Sequence, residues 1–192
     1  MAQIIKKIPS SDIKRLSIEE YKKAGKMPVA VALDNIRSAY NTGSIFRSCD
    51  AFHVSMVICG GITPTPLNSK LAKTALGSEC SVVWEKASNL YDYLCNLKSN
   101  KKDMLIIGVE HTSSSIPLSS LVPSPSLFYI LIFGNELYGI SSEILNICDM
   151  AVEIEQFGTK HSLNVSVCCG IVLWHFFIHL SRKVGLLTTS IP

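Results

Sequence analysis

Residues Ile154 to Leu180 read IEQFGTKHSLNVSVCCGIVLWHFFIHL. They continue an apolar run that includes Ala151, Val152 and Ile154, cross a polar loop bent at Gly158, and enter eighteen residues, Leu163 to Leu180, that carry no formal charge. A strand, a tight loop and a long buried helix are predicted in that order. Ser162 stands where a hydroxyl can cap the free backbone N–H groups of a helix start, and Lys160 and Arg182/Lys183 bracket the apolar segment. Eighteen uncharged residues also reach the length of a membrane span, so a tail anchor is the alternative. The polar groups of Asn164, Ser166, His175 and His179 would be costly in lipid without partners, which favours a helix buried in a soluble, cytoplasmic protein.

A chain of 192 residues suits one domain that buries about 70% of its unfolded-state surface. Hydrophobic content of 47% and charged content of 17% describe a core-rich globular protein and exclude a disordered one. The net charge is only +3, but it is unevenly placed: residues 1–28 hold seven Lys and Arg against three Asp and Glu. Residues 1–27 therefore read as a basic arm, suited to a polyanion or simply to solvent, on a nearly neutral body at 28–192. The first residues lack the apolar core of a signal peptide. Seven cysteines, odd in number, mostly in apolar runs and without C-x-x-C spacing, read as reduced thiols with no metal to hold.

Along the chain, Ser17-Ile-Glu-Glu20 has capping-box spacing and predicts a short helix to Lys23. Strands are expected at 29–33, 55–59, 81–85, 104–109, 127–133 and 150–154. Helices are expected from a cap at Asn41 to Ala51, near 70–76, and at 141–147. Leu90, Tyr93, Leu94 and Leu97 repeat at i, i+3, i+4 and i+7, the clearest amphipathic helix outside the C-terminal one. The Ser/Pro-rich segment 111–126 is read as a long loop. Strands alternating with helices at this rhythm predict an α/β fold, a mainly parallel sheet with helices on both faces. Ligands in such folds bind beyond the carboxyl ends of the strands. Three polar clusters lie there: Asn35 to Arg47, Gly134 to Gly139 and Glu155 to Asn164.

No G-x-G-x-x-G or G-x-x-x-x-G-K-[ST] follows the first strand, and H-E-x-x-H and G-x-S-x-G are absent. What remains is a set of neutral hydrogen-bonding residues with one Arg and one Glu. Gly134, directly after a buried strand, is a place where a ligand could approach the backbone closely. Taken singly, Arg47 reads as a surface arginine, Glu136 as a solvated carboxylate, and Ser162 and Asn164 as caps.

Together, Asn41-Thr-Gly43-Ser-Ile-Phe-Arg47, Ile-Phe-Gly134-Asn-Glu136-Leu-Tyr-Gly139 and Ile154-Glu-Gln-Phe-Gly158-Thr-Lys-His-Ser162-Leu-Asn164-Val-Ser-Val resemble the three motifs of the SpoU (TrmH-type) RNA ribose 2′-O-methyltransferases of the SPOUT superfamily. The resemblance spans roughly residues 28 to 180 and takes in Lys73-Thr-Ala-Leu-Gly77. It implies a C-terminal trefoil knot, which ordinary connection rules would not propose. It implies S-adenosylmethionine held by backbone groups at Gly134, Ile154 and Leu163, and a homodimer with the C-terminal helix in its interface. The substrate implied is tRNA in preference to rRNA.

For the reaction, the resemblance assigns Arg47 to the ribose hydroxyl or its phosphate, with Glu136, Ser162 and Asn164 orienting the reacting groups and Asn41 holding the first-motif loop. An arginine with a pKa above 12 is better suited to stabilising a developing alkoxide than to acting as a base. The family usually has Pro after the isoleucine of the third motif, and this chain has Glu155. A non-catalytic RNA-binding protein on the same fold is the alternative to an enzyme.

Overall fold

The structure, a computed structural model, describes residues 6–9, 12–13 and 15–181; the predicted basic bracket at Arg182 and Lys183 lies outside them. Helix α1 (Ile18–Lys23) begins with the predicted capping box, in which the Glu20 N–H donates to Ser17 Oγ at 3.2 Å and the Ser17 N–H to Glu20 Oε2 at 2.8 Å. Its Tyr21 is buried and donates to the Cys49 carbonyl at 3.4 Å, so this part of the basic arm rests on the body.

Seven strands form one sheet: β1 (Met27–Asp34), β2 (Val54–Gly60), β3 (Trp84–Ala87), β4 (Met104–Val109), β5 (Ile116–Pro117), β6 (Phe128–Phe133) and β7 (Met150–Glu153). Their order is β3-β2-β1-β6-β4-β7-β5, and every named pair is parallel. Because side chains alternate along a strand, β1 serves two cores: Val29, Val31 and Leu33 face one, Ala30 and Ala32 the other. The first core takes Ile45, Phe46 and Cys49 of α2 (Ala39–Ala51) and Cys169, Val172, Leu173 and Phe176 of α7 (Val165–Leu180). The second takes Leu90 and Leu94 of α5 (Leu90–Asn100) and Ile144 of α6 (Ser142–Leu145). The predicted parallel α/β sheet with helices on both faces is therefore present. No helix among the described residues is long and apolar enough to cross a membrane.

Local expectations are corrected in four places. Helix α2 is capped by Ser38, which accepts the Asn41 N–H at 3.2 Å, so Asn41 lies inside the first turn, free to use its side chain elsewhere. Helix α7 starts two residues later than Ser162 would place it: Asn164 Oδ1 accepts the N–H groups of Ser166 at 2.9 Å and Val167 at 3.4 Å. Ser78–Ser81 forms a one-turn helix, α4, after α3 (Ser69–Ala75), and moves β3 from the expected 81–85 to Trp84–Ala87. The long loop 111–126 contains the short β5 and a 3-10 turn at Leu118–Ser120. The two helical histidines find partners inside the protein, His175 Nε2 with the Leu121 carbonyl and His179 Nδ1 with the His175 carbonyl, both at 2.7 Å.

Candidate active site

The carboxyl ends of β4, β6 and β7 open into a cavity of about 1010 Å³. Its walls include Gly134, Glu136, Ile154, Ser162, Leu163 and Asn164, six of the eight residues singled out from sequence. Its size suits a nucleoside-sized ligand.

Glu136 holds the wall together. Its carboxylate accepts the Arg37 N–H at 2.9 Å, the Ser38 N–H at 3.0 Å and Asn41 Nδ2 at 2.9 Å. Arg37 and Ser38 precede α2, so the carboxylate also sits at the positive end of that helix. Burial pushes the Glu136 carboxyl up, but these donors outweigh it and hold it below the usual carboxylate value. Asn41 Oδ1 in turn accepts from Asn164 Nδ2 at 3.1 Å. One chain of bonds, Glu136 to Asn41 to Asn164, thus joins all three polar clusters.

The turn behind Glu136 is fixed by its neighbours. Asn135 and Gly139 exchange two backbone bonds of 2.9 Å, and Asn135 Nδ2 donates to the Asn35 carbonyl at 2.7 Å. Gly134 is required here by the protein itself: a methyl group at this position would overlap the backbone of Gly139 and Ile140. Asp34, only 2% exposed, accepts the Ser141 N–H at 2.8 Å and Asn35 Nδ2 at 2.8 Å, tying the end of β1 to the same turn.

Sequence reasoning missed a second polar group on the opposite wall. His111 Nδ1 pairs with Glu153, whose Oε2 also accepts Ser115 Oγ at 3.0 Å. His111 first, then Ser115, hold the Glu153 carboxyl below its ordinary value. Glu110 beside it accepts the Ile140 N–H at 3.0 Å and the His111 N–H at 3.1 Å. These residues follow a plain apolar strand and precede a serine-rich loop, so only the pairing of β4 with β7 brings them together. Glu155 lines the cavity too and accepts Ser119 Oγ at 3.1 Å.

Arg47 is not in the cavity. It is exposed on α2, in a shallow depression of about 500 Å³ shared with Ser44, Ser48 and Lys73, and its guanidinium has no partner among the described residues. Ser162 faces the cavity without a hydrogen bond among the described residues. The backbone at Gly134, Ile154 and Leu163, with the carboxylates of Glu110 and Glu155, suits a ligand that offers hydrogen-bonding edges and a positive charge, the chemistry of S-adenosylmethionine.

A doubly covered parallel sheet with its cavity beyond the strand ends defines the class, an α/β ligand-binding protein of open-sheet type. A profile described as the SpoU rRNA Methylase family matches residues 28–174, and the chain belongs to that family. It is 33% identical over 146 residues to the 23S rRNA (guanosine-2′-O-)-methyltransferase RlmB of Neisseria meningitidis, covering 76% of this chain and 56% of that relative. The crystal structure of the Aquifex aeolicus TrmH/SpoU tRNA modifying enzyme superposes with a TM-score of 0.75 at 25% identity, over 86% of this chain and 83% of that one. An S-adenosylmethionine-bound rRNA methyltransferase from Sinorhizobium meliloti gives a TM-score of 0.72 at 25% identity, over 83% of this chain and 60% of that one.

Proposed function

We propose that the chain is an S-adenosylmethionine-dependent methyltransferase that acts on a ribose 2′-hydroxyl of RNA. The observation that carries this reading is the bond chain Glu136–Asn41–Asn164, which gathers three separate motifs at the rim of one cavity. When bound there, S-adenosylmethionine supplies an electrophilic methyl group. Gly134, Ile154 and Leu163 offer backbone contacts to it, while Glu136 and Asn41 hold the α2 entrance rigid so that reacting groups meet in line. Ser162 and Asn164 orient the ribose or the cofactor's carboxylate end. Arg47 stabilises the developing alkoxide and clamps a phosphate.

Because Arg47 stands outside the cavity of its own chain, this reading needs a second copy. Val167, Ile171, Trp174 and Ile178 form an exposed apolar stripe on α7, and Arg47 borders Phe52, whose ring contacts Trp174 at 6.0 Å between centroids. A symmetric pair packed through α7 covers the stripe and moves each Arg47 to the edge of the interface. The last strand β7, inserted between β4 and β5, and the return of α7 onto α2 support a C-terminal chain threaded as a trefoil knot. Residues 1–27 serve as a basic arm for RNA, and the seven free thiols fit a reducing cytoplasm. Transfer RNA is the substrate to try before ribosomal RNA, since the tRNA-modifying neighbour is matched over 83% of its length and the rRNA-modifying one over 60%.

The test is transfer of labelled methyl from S-adenosylmethionine to unmodified tRNA and rRNA, followed by nuclease digestion. Ribose label that falls about a thousandfold in Arg47→Ala, with cofactor binding retained, is expected. Cofactor and RNA binding without transfer to either pool would favour the non-catalytic reading.

A further inference from the structure

The mouth of the cavity carries three apolar side chains that its walls do not need. Leu137 is 65% exposed, Tyr138 85% and Phe157 95%. Isolated exposed hydrophobic residues are ordinary on protein surfaces. These three instead share one opening, Leu137 and Tyr138 on the turn after β6 and Phe157 on the loop after β7.

The backbone that carries Tyr138 is held in place. Its turn is closed by the Asn135–Gly139 bridge, and Asn135 Oδ1 accepts the Leu137 N–H at 2.9 Å and the Tyr138 N–H at 3.3 Å. Gly139, at φ 68°, takes the left-handed conformation that lets the turn close. The Phe157 loop also carries Lys160, another residue of the cavity wall. Rings next to cations are the chemistry of single-stranded nucleic-acid binding: the ring stacks on a base and the cation meets the phosphate.

We propose that Tyr138 and Phe157 form a stacking platform for an unpaired nucleobase of RNA, with Lys160 on an adjoining phosphate. The proposal rests on the RNA methyltransferase reading and narrows its substrate to a nucleotide in a loop or single strand. A base inside an A-form duplex has both faces covered by its neighbours, whereas a splayed loop nucleotide offers a face to each ring.

Tyr138→Trp places a fluorescent reporter on the platform, measured against the parent protein with its Trp84 and Trp174. A short mixed-sequence single-stranded RNA should quench the added emission, and the same strand annealed to its complement should not. Phe157→Ala should weaken single-strand binding about tenfold, with S-adenosylmethionine affinity unchanged, and Phe157→Tyr should restore it. No quenching, equal quenching by the duplex, unchanged RNA affinity in Phe157→Ala, or an equal loss of cofactor affinity would each overturn the platform. Quenching by the single strand in a protein that transfers methyl to no RNA would leave the platform standing and remove the methyltransferase reading.

Discussion

Helices α5 and α7 cover opposite faces of the same sheet, and their outer surfaces are finished differently. Helix α5 buries Leu90 and Leu94 and turns Lys98, Ser99 and Asn100 to solvent, where Lys98 pairs with Asp149 at 2.6 Å. Helix α7 buries Cys169, Val172, Leu173, Phe176 and Leu180, yet presents Val167, Ile171, Trp174 and Ile178 on its outer side. The first helix is complete within one chain. The second has an apolar surplus that the described residues do not cover, and it starts at the Asn164 that helps build the cavity. Stability is the task of the α5 side; the proposed assembly and the proposed chemistry both fall on the α7 side.

Substitutions on the two helices can break that contrast. Ile171→Glu places an unpaired carboxylate in the proposed interface and should dissociate the pair with at least about a hundredfold loss of transfer, read by sedimentation and methyl incorporation. Ser99→Glu on α5 should change neither; equal effects from both would abolish the distinction. Leu94→Ala removes a fully buried side chain beneath α5 and should cost about 3 kcal/mol in urea unfolding, with cofactor affinity of the folded protein unchanged.

Smaller effects sharpen the contrast at the cavity itself. Asn164→Ala loses the α7 cap and the bond to Asn41, at a cost of about 1 kcal/mol, and should weaken cofactor binding and rate as well. A variant that lost stability alone would make Asn164 only a cap. Glu136→Gln tests the depressed carboxyl. A group whose folded pKa lies below its unfolded value stabilises the fold above the unfolded value, near 4.3, and that contribution is lost as pH falls through the folded one. The advantage of Glu136 over Gln should therefore be present above about pH 5 and vanish in acid. It should stay under about 1 kcal/mol because the carboxylate is water-exposed.

Much of the fold was legible because its signals are local and repeated. The Leu90, Tyr93, Leu94, Leu97 period places α5 without ambiguity, and the apolar run at 104–109 coincides with β4. Ser78–Ser81 was not legible: four residues give no period, and the Val82-Val83 pair that follows it imitates a strand. At the site, resemblance to known motifs selected the cavity residues, but local pattern did not reveal all their partners. Asn41 looks like a cap because nothing near it in sequence reveals that its partners are Glu136 and Asn164. Gly134 signals close approach, and only the folded turn shows that Gly139 and Ile140 come close to it. The His111–Glu153 pair gave no sequence signal, since His111 follows β4 and Glu153 ends β7, two strands that become neighbours only in the sheet.

The place of β7 has a consequence for the order in which the molecule is made. Strand β5 pairs with β7 alone, and β7 pairs with β4 on its other side, so two strands translated earlier wait for one translated later. The bond from Asn164 to Asn41 spans 123 positions in the sequence. A ribosome that has released only the first six strands has produced a sheet with a vacancy between β4 and β5. Folding dominated by such distant pairings is slow, and the site cannot be complete before β7 has been inserted.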